Sequence, residues 1–379
     1  MEITGIICEY NPFHLGHARQ ISLLRERFPQ GAIVCLMSGD FVQRGMPAIV
    51  SKDLRAKAAV EAGADLVLEL PVTGSLRSAE GFAGEGVRIL SPWCDHLCFG
   101  AETADPAALT EAARALLSET FRSRLREQLN AGLSFPSARQ KALEAMGIDP
   151  VLVATPNNIL AVEYCKAILS QKSPMKILPI HRPGSYHATA PDSENPSATA
   201  VRTAMEKDAP WQDYVPEAAA NFMAKAPLHT LKNGEKAILA RLRTMTDEEF
   251  EALPYGSEGL WRKLMHASRR EATLDGILEA TKSKRYTRSR LDRMVMCAFL
   301  GITRTQLEAP APYTRVLALN DRGREVLKLA RQHGDFPNIG EVREEPYQRL
   351  EDRCSDLYGL FSPTPEAPGA NRKLRVFFK

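Results

Sequence analysis

The chain has 379 residues, 44% of them hydrophobic and 25% charged, with a formal net charge of +3. That is the composition of an ordinary soluble protein with core enough for two or three domains. No apolar run approaches a membrane span, and the N-terminus lacks the basic segment and apolar core of a secretory signal, so a cytoplasmic protein without membrane association is expected. In chain order, Ile3–Ile7 reads as a first β-strand. Gly16–Phe28 has helical spacing, with Ile21, Leu24 and Phe28 on one face. Further strands are expected at Ala32–Met37, Ala64–Leu70, His96–Gly100 and Met175–His181. Helices are expected near Ser51–Ala62, Ser75–Leu90, Asp105–Asn130, Pro136–Met146 and Asn157–Ser170. Short apolar strands alternating with helices indicate an α/β fold, a doubly wound parallel sheet.

The texture changes at about residue 206. Pro216–Lys225, Gly234–Met245, Asp247–Ala252 and Gly259–Leu300 read as helical stretches. Val316–Leu319 and Leu374–Phe378 read as strands, and Ser362–Gly369 as a proline-rich loop. The expected division is a nucleotide-binding domain at 1–205, a smaller, mainly helical and basic domain at 206–308, and a C-terminal extension at 309–379 to which the sequence assigns no fold. The seven cysteines are scattered and most lie in apolar runs, as reduced core thiols do. Cys94, His96 and Cys98 look like half a zinc site, but no second ligand pair with matching spacing exists, and no metal centre is expected.

In a doubly wound sheet, ligands bind outside the C-terminal ends of the strands. The distinctive motifs all fall there: Tyr10–His17 after the first strand, Ser38–Phe41 after the second, Phe99–Glu102 after the fourth, and Arg182 after the last. The first contains His14, Gly16 and His17, an HxGH pattern where a strand turns into a helix. Free backbone N–H groups and the helix dipole favour an anion at such a junction. Gly16 lets the backbone approach a ligand, and the two histidines can donate hydrogen bonds to phosphate oxygens. HxGH is the signature of the nucleotidyltransferase superfamily, whose reaction is attack on an α-phosphate with loss of pyrophosphate. No Walker A sequence is present, which argues against a P-loop nucleotidase.

The candidate catalytic set is His14, His17, Asp40, Lys52 and Arg202. Arg202 closes Ser197-Ala198-Thr199-Ala200-Val201-Arg202, where two hydroxyls and an arginine stand at the start of an expected helix and suit β- and γ-phosphates. Read as plain structure, Ser197 is a helix cap and Arg202 a solvated charge. Lys52 opens a helix, where a cation is mildly unfavourable, so either a ligand or a local acidic partner is needed. Asn157 and Asn158 follow Pro156 and fit helix capping as well as ligand binding.

Between Trp261 and Leu300 ten Lys and Arg face four Asp and Glu, a local balance of +6 that leaves −3 for the rest. The densest part holds Lys282, Lys284, Arg285, Arg288, Arg290 and Arg293 around Tyr286. A basic segment with small hydroxyl residues and one aromatic suggests phosphate contact and base stacking on a nucleic acid. A solvated helix face has the same composition.

Taken together, the chain resembles the tRNA(Met) cytidine acetate ligase family, within the HxGH nucleotidyltransferase type of fold. The likeness rests on Glu9–His17, Met37-Ser38-Gly39 with Gln43-Arg44-Gly45, Gly63–Pro71, Phe99–Glu102, Pro156–Leu160, Ser197–Arg202 and Lys284–Arg288. It implies an ATP site built from Ile7, Cys8, Glu9, Tyr10, Asn11, Pro12, Phe13, His14, Leu15, Gly16, His17, Ala18, Arg19 and Gln20, with Gly100, Asn157, Asn158 and Arg182. Ser197 and Thr199 join that set on their own chemistry. The resemblance further implies acetyl-adenylate formation from acetate and ATP, then acetylation of N4 of the wobble cytidine of elongator tRNA(Met). Mg²⁺ is expected to arrive on the ATP phosphates. No obligate protein partner is expected. Asp40 and Met46 depart from the family pattern, and the tail past about 310 has no counterpart in it.

Two other readings stay open. One is a small-molecule adenylyltransferase of the same superfamily, which has no use for a basic surface. The other is an RNA-binding protein with a structural nucleotide site, which has no use for both histidines and the Ser197–Arg202 element.

Overall fold

The structure, a computed structural model, describes residues 1–182, 196–283, 286–332 and 346–379. Its strands are β1 (Ile3–Cys8), β2 (Ala32–Ser38), β3 (Phe41–Val42), β4 (Met46–Pro47), β5 (Leu66–Leu70), β6 (His96–Ala101), β7 (Lys176–His181), β8 (Arg315–Leu319) and β9 (Phe377–Phe378). Seven of them form one sheet in the order β7-β6-β1-β2-β5-β8-β9. The first five in that order are parallel, β8 runs antiparallel to β5, and β9 is parallel to β8. Parallel strands covered on both faces read as largely apolar runs, as β1, β2 and β5 do apart from Thr4, Ser38 and Glu69. Ile7, Leu36 and Leu68 face a layer with Phe82, Leu90, Leu109 and Tyr164. Ile6, Cys35 and Val67 face the opposite layer, with Ile21, Leu24, Ala59 and Val201.

The chain winds outward from β1 through β2 to β5, then returns to lay β6 and β7 on the other side of β1. The order therefore reverses between β1 and β6, which opens a crevice at their C-terminal ends.

Several elements differ from the sequence expectation. Asp105–Asn130 is two helices, Pro106–Leu117 and Glu119–Asn130, because Ser118 adopts extended backbone and caps the second through Phe121 N–H. Gly259–Leu300 is three helices, Leu260–Ser268, Leu274–Thr281 and Arg288–Leu300. They pack with Leu231–Thr244 and Pro346–Tyr358 into a separate cluster around Ile238, Leu264, Ile277, Met294 and Phe361. The β3–β4 hairpin was not expected. Its turn residue Gly45 has φ +79° and lies against the backbone of Asp292 and Arg293, where any Cβ would collide.

The C-terminal segment is woven into the rest of the chain. β8 extends the main sheet, Glu351 Oε1 accepts from Val72 N–H at 2.9 Å, and Asn371 reaches Lys52 at 2.8 Å. Among the described residues no helix is long and apolar enough to cross a membrane.

Candidate active site

The crevice between β1 and β6 holds a cavity of about 270 Å³. β1 delivers Ile7, Cys8 and Glu9 to its floor, and Tyr10, at φ +48°, turns the chain into the following loop. His14 caps the helix Leu15–Arg27 in extended backbone. Its Nδ1 accepts from Gly16 N–H at 3.1 Å, while His17 Nδ1 accepts from His14 N–H at 3.2 Å. Both Nδ1 atoms are thus acceptors, which places the ring proton of each neutral imidazole on Nε2. The rings stack with centroids 3.6 Å apart. Gly16 permits this fold-back, since a Cβ there would sit 3.0 Å from the His14 ring. Burial, followed by the charges of Arg182 and Arg202, lowers the pKa of His14 to about 3. Burial, His14 and Arg182 likewise lower that of His17 well below its usual value. Two neutral hydrogen-bond donors result. His17 lines the cavity, whereas His14 is buried behind it with Nε2 lacking a protein partner among the described residues.

The opposite wall is cationic. Arg182 follows β7, and Arg202 projects from the helix Ala198–Glu206. Ser197 caps that helix, its Oγ accepting from Ala200 N–H at 3.1 Å. Arg202 donates to the Asn11 carbonyl and to Thr199 Oγ1. Burial lowers the pKa of both arginines; Glu102 near Arg182 and Glu9 near Arg202 work the other way. At ordinary pH both stay charged.

Of the expected nucleotide-binding residues, Ile7, Cys8, Glu9, Tyr10, Asn11, Gly16, His17, Arg19, Gln20, Gly100, Asn157, Arg182, Ser197 and Thr199 line the cavity. Pro12, Phe13, Leu15 and Ala18 do not; Phe13 is a core residue. Asn158 does not either. It is buried, accepting from Thr103 N–H at 2.9 Å and donating to Thr103 Oγ1, and so fixes the loop after β6. Asn157 faces the cavity and donates to Glu102 at 2.8 Å.

Asp40 and Lys52 lie elsewhere. Lys52 is buried, 2.7 Å from Glu69 and 3.2 Å from Asp40, and it donates to Asn371. Burial opposes its charge, but Asp40 and Glu69 more than offset this and hold the ammonium protonated well above its usual range. The cation that opens this helix is met by local acidic partners, so neither residue is placed to touch a ligand in the cavity.

Sequence reasoning did not single out Arg55. It is fully buried and donates to the carbonyls of Glu9 at 2.7 Å, Ser38 at 2.9 Å and Val50 at 3.0 Å, and also to Gly39. One guanidinium thereby ties the ends of β1 and β2 together. Arg44, Phe82, Phe99, Leu160, Tyr164 and His181 also line the cavity, and none of them was expected there as a site residue. The Gln43-Arg44-Gly45 motif was a usable signal for Arg44. The Phe99–Glu102 motif was likewise a signal for Phe99, whereas Phe82 and Tyr164 sit in ordinary core periodicity and gave none.

The basic segment is partly neutralised. Arg288 faces Asp275, Glu279 and Asp292. Arg290 donates to the Tyr255 carbonyl and Ser257 and packs over the Tyr286 ring. Tyr286 donates to Glu258 at 2.7 Å. Arg293 is buried, stacked on Tyr255 and pointing to the Gln43 carbonyl, so it joins the helical cluster to the hairpin and is not placed to meet an RNA phosphate. Lys282 is half exposed and 3.6 Å from Glu279. Lys284 and Arg285 lie outside the described residues. Cys94 and Cys98 are free thiols, both buried, with Cys98 pushed up to about 12.

A histidine pair at the switch point of a doubly wound sheet, its His17 sharing one crevice with two arginines and a capped helix, defines a nucleotidyl transferase. The HIGH Nucleotidyl Transferase family model matches residues 1–372. A tRNA(Met) cytidine acetate ligase of Clostridium acetobutylicum is 34% identical over 372 residues, 92% of each chain. One of Acetivibrio thermocellus is 33% identical over 400 residues, 96% of each. The crystal structure of Thermotoga maritima TmcAL, apo form I, superposes with a TM-score of 0.92 at 28% identity over the whole of both chains. The same protein bound with alpha-thio ATP gives 0.89 at 28% identity, again over both whole chains. The chain belongs to the tRNA(Met) cytidine acetate ligase family. The match to residue 372 takes in most of the tail that had no counterpart by motif.

Proposed function

We propose that the protein activates acetate with ATP as acetyl-adenylate, releasing pyrophosphate, and transfers the acetyl group to N4 of the wobble cytidine of elongator tRNA(Met). The observation that carries this reading is His17, neutral and tautomer-fixed with His14 stacked behind it, lining the same crevice as Arg182 and Arg202. Free acetate is a poor electrophile, and the N4 amine of cytosine, conjugated with its ring, is a poor nucleophile. A mixed anhydride with AMP supplies the missing leaving group. His17 Nε2–H, Arg202 and the N–H groups behind Ser197 are donors fixed before reaction, and fixed donors are the main contribution a protein makes to phosphoryl-group transition states. Acetate-dependent ATP–pyrophosphate exchange tests the first half-reaction. Exchange that depends on a different small-molecule acceptor in place of acetate would favour a small-molecule adenylyltransferase, and no exchange with any acceptor a non-catalytic RNA-binding protein.

Mg²⁺ belongs to this reaction as the ion carried on the ATP phosphates. Glu9 is the sole carboxylate among the described residues lining the cavity, which suits an ion held by phosphates and water in preference to a protein cage. Excess EDTA should abolish exchange and added Mg²⁺ restore it; full exchange in EDTA would contradict this.

Residues 1–205 are read as the ATP-binding part and the helical cluster as the part that holds tRNA. Free thiols at all seven cysteines suit a reducing, cytoplasmic setting. Replacing Lys282, Lys284 and Arg285 together by Ala should weaken tRNA binding. For every cation that pairs with a tRNA phosphate, its removal should reduce the slope of log K against log salt by roughly 0.7–0.9. A filter-binding salt series checks this, and unchanged binding would move the tRNA surface elsewhere.

A further inference from the structure

Glu9 stands out among the residues of the cavity. The polar wall around it is cationic, with Arg19, Arg44, Arg182 and Arg202. A carboxylate there opposes the binding of a triphosphate by simple charge repulsion. Its position is nonetheless fixed at two points. Arg55 holds its carbonyl at 2.7 Å, and its Oε1 accepts from Gln43 N–H at 2.8 Å. Oε2 has no protein partner among the described residues, and the side chain is only half-buried. Glu102, just past the end of β6, is by contrast engaged by Thr155, Asn157 and Asn158.

Glu9 also sits at the seam between two different walls. The helix of Ser197 and Arg202 packs on the sheet face of Ile6 and Tyr10. Phe82, Phe99, Leu160 and Tyr164 pack on the face of Ile7. Phe99 and Tyr164 rings lie 5.3 Å apart. The Glu9 charge acts on Arg202 from one side and on the Tyr164 hydroxyl from the other. Phe82, Phe99 and Tyr164 are core residues only 2–4% exposed that back the wall on the Ile7 face, while the cationic wall suits phosphates.

We propose that Glu9 is the general base of acetyl transfer, with Oε2 accepting the proton of the attacking cytosine N4; this rests on the acetate-ligase reading above. The N4 lone pair attacks the acetyl carbonyl carbon of acetyl-adenylate. The N–C bond forms, and the bond from that carbon to the phosphate oxygen breaks. AMP leaves with the electron pair, the nitrogen proton passes to the Glu9 carboxylate, and solvent then takes it.

The test compares the two half-reactions in Glu9→Gln, whose amide oxygen can still accept from Gln43 N–H. Acetate-dependent pyrophosphate exchange and trapping of acetyl-adenylate by hydroxylamine report activation. Formation of N4-acetylcytidine, at tRNA concentrations that saturate binding, reports transfer. The expected result is that transfer falls by about 10²-fold more than exchange, the span of a lost general base. Hydroxylamine, a strong nucleophile that needs no base, should still yield acetyl hydroxamate. Exchange and transfer falling together would assign Glu9 to the nucleotide or its metal ion and overturn the proposal. Normal transfer would reduce Glu9 to an anchor for Gln43 and overturn it equally. If Glu9→Gln does not fold, Glu9→Asp decides, since a carboxylate shortened by one methylene should still lose more transfer than exchange. Wild-type protein without acetate-dependent exchange would refute the underlying reading instead.

Discussion

His17→Ala lowers acetyl-adenylate formation by about 10²-fold or more, the usual loss when one donor to a developing charge is removed. His17 is the member of the pair that lines the cavity, and its Nδ1 is already occupied by His14 N–H. Nε2–H is therefore the proton it has to offer. His14→Ala acts differently. It removes the Gly16 cap and the ring on which His17 stacks, so it loosens the donor as well as removing one. Both variants should keep their affinity for tRNA. Pyrophosphate exchange measured beside filter binding checks the pair, and exchange near the wild-type rate in His17→Ala would remove the histidine from the chemistry.

Lys52→Ala destabilises the fold by about 3–5 kcal/mol, the range for removing one partner of a buried ion pair. Asp40 and Glu69 are left facing one another in the interior, and Asn371 loses its tie to the first helix after the hairpin. Replacing Glu69 by Gln in the same chain should recover part of the loss, because it removes one of the stranded charges. Denaturant midpoints of the single and double variants measure the effect. A phosphate ligand would behave in the opposite way, with stability preserved and the KM for ATP strongly raised; that outcome would return Lys52 to the catalytic set.

Much of the site was legible because its signals are local. The HxGH stretch, Gly100, Arg182 and Ser197–Arg202 each mark a strand end or a helix start, and the sheet order brings those ends to one crevice. What was not legible depends on long-range pairing. Nothing in the sequence near Lys52 says that Glu69 and Asn371 will surround it, and nothing near Arg55 says that three chain segments will offer it carbonyls. Arg293 reads as one more cation of a basic helix, yet the periodicity of Arg288–Leu300 turns it inward against Tyr255. Local charge counting also overstated the basic surface, since Asp275 and Glu279 come from a neighbouring helix to meet Arg288. The helix breaks at Ser118 and Thr273 were present as capping residues, but hydrophobic periodicity ran across them.

The most direct test of the acetate-ligase account is nucleoside mass spectrometry of elongator tRNA(Met) incubated with the purified protein. N4-acetylcytidine should form when ATP and acetate are both supplied and fail to form when either is left out. Its absence under complete conditions, with acetate-dependent pyrophosphate exchange intact, would contradict the account.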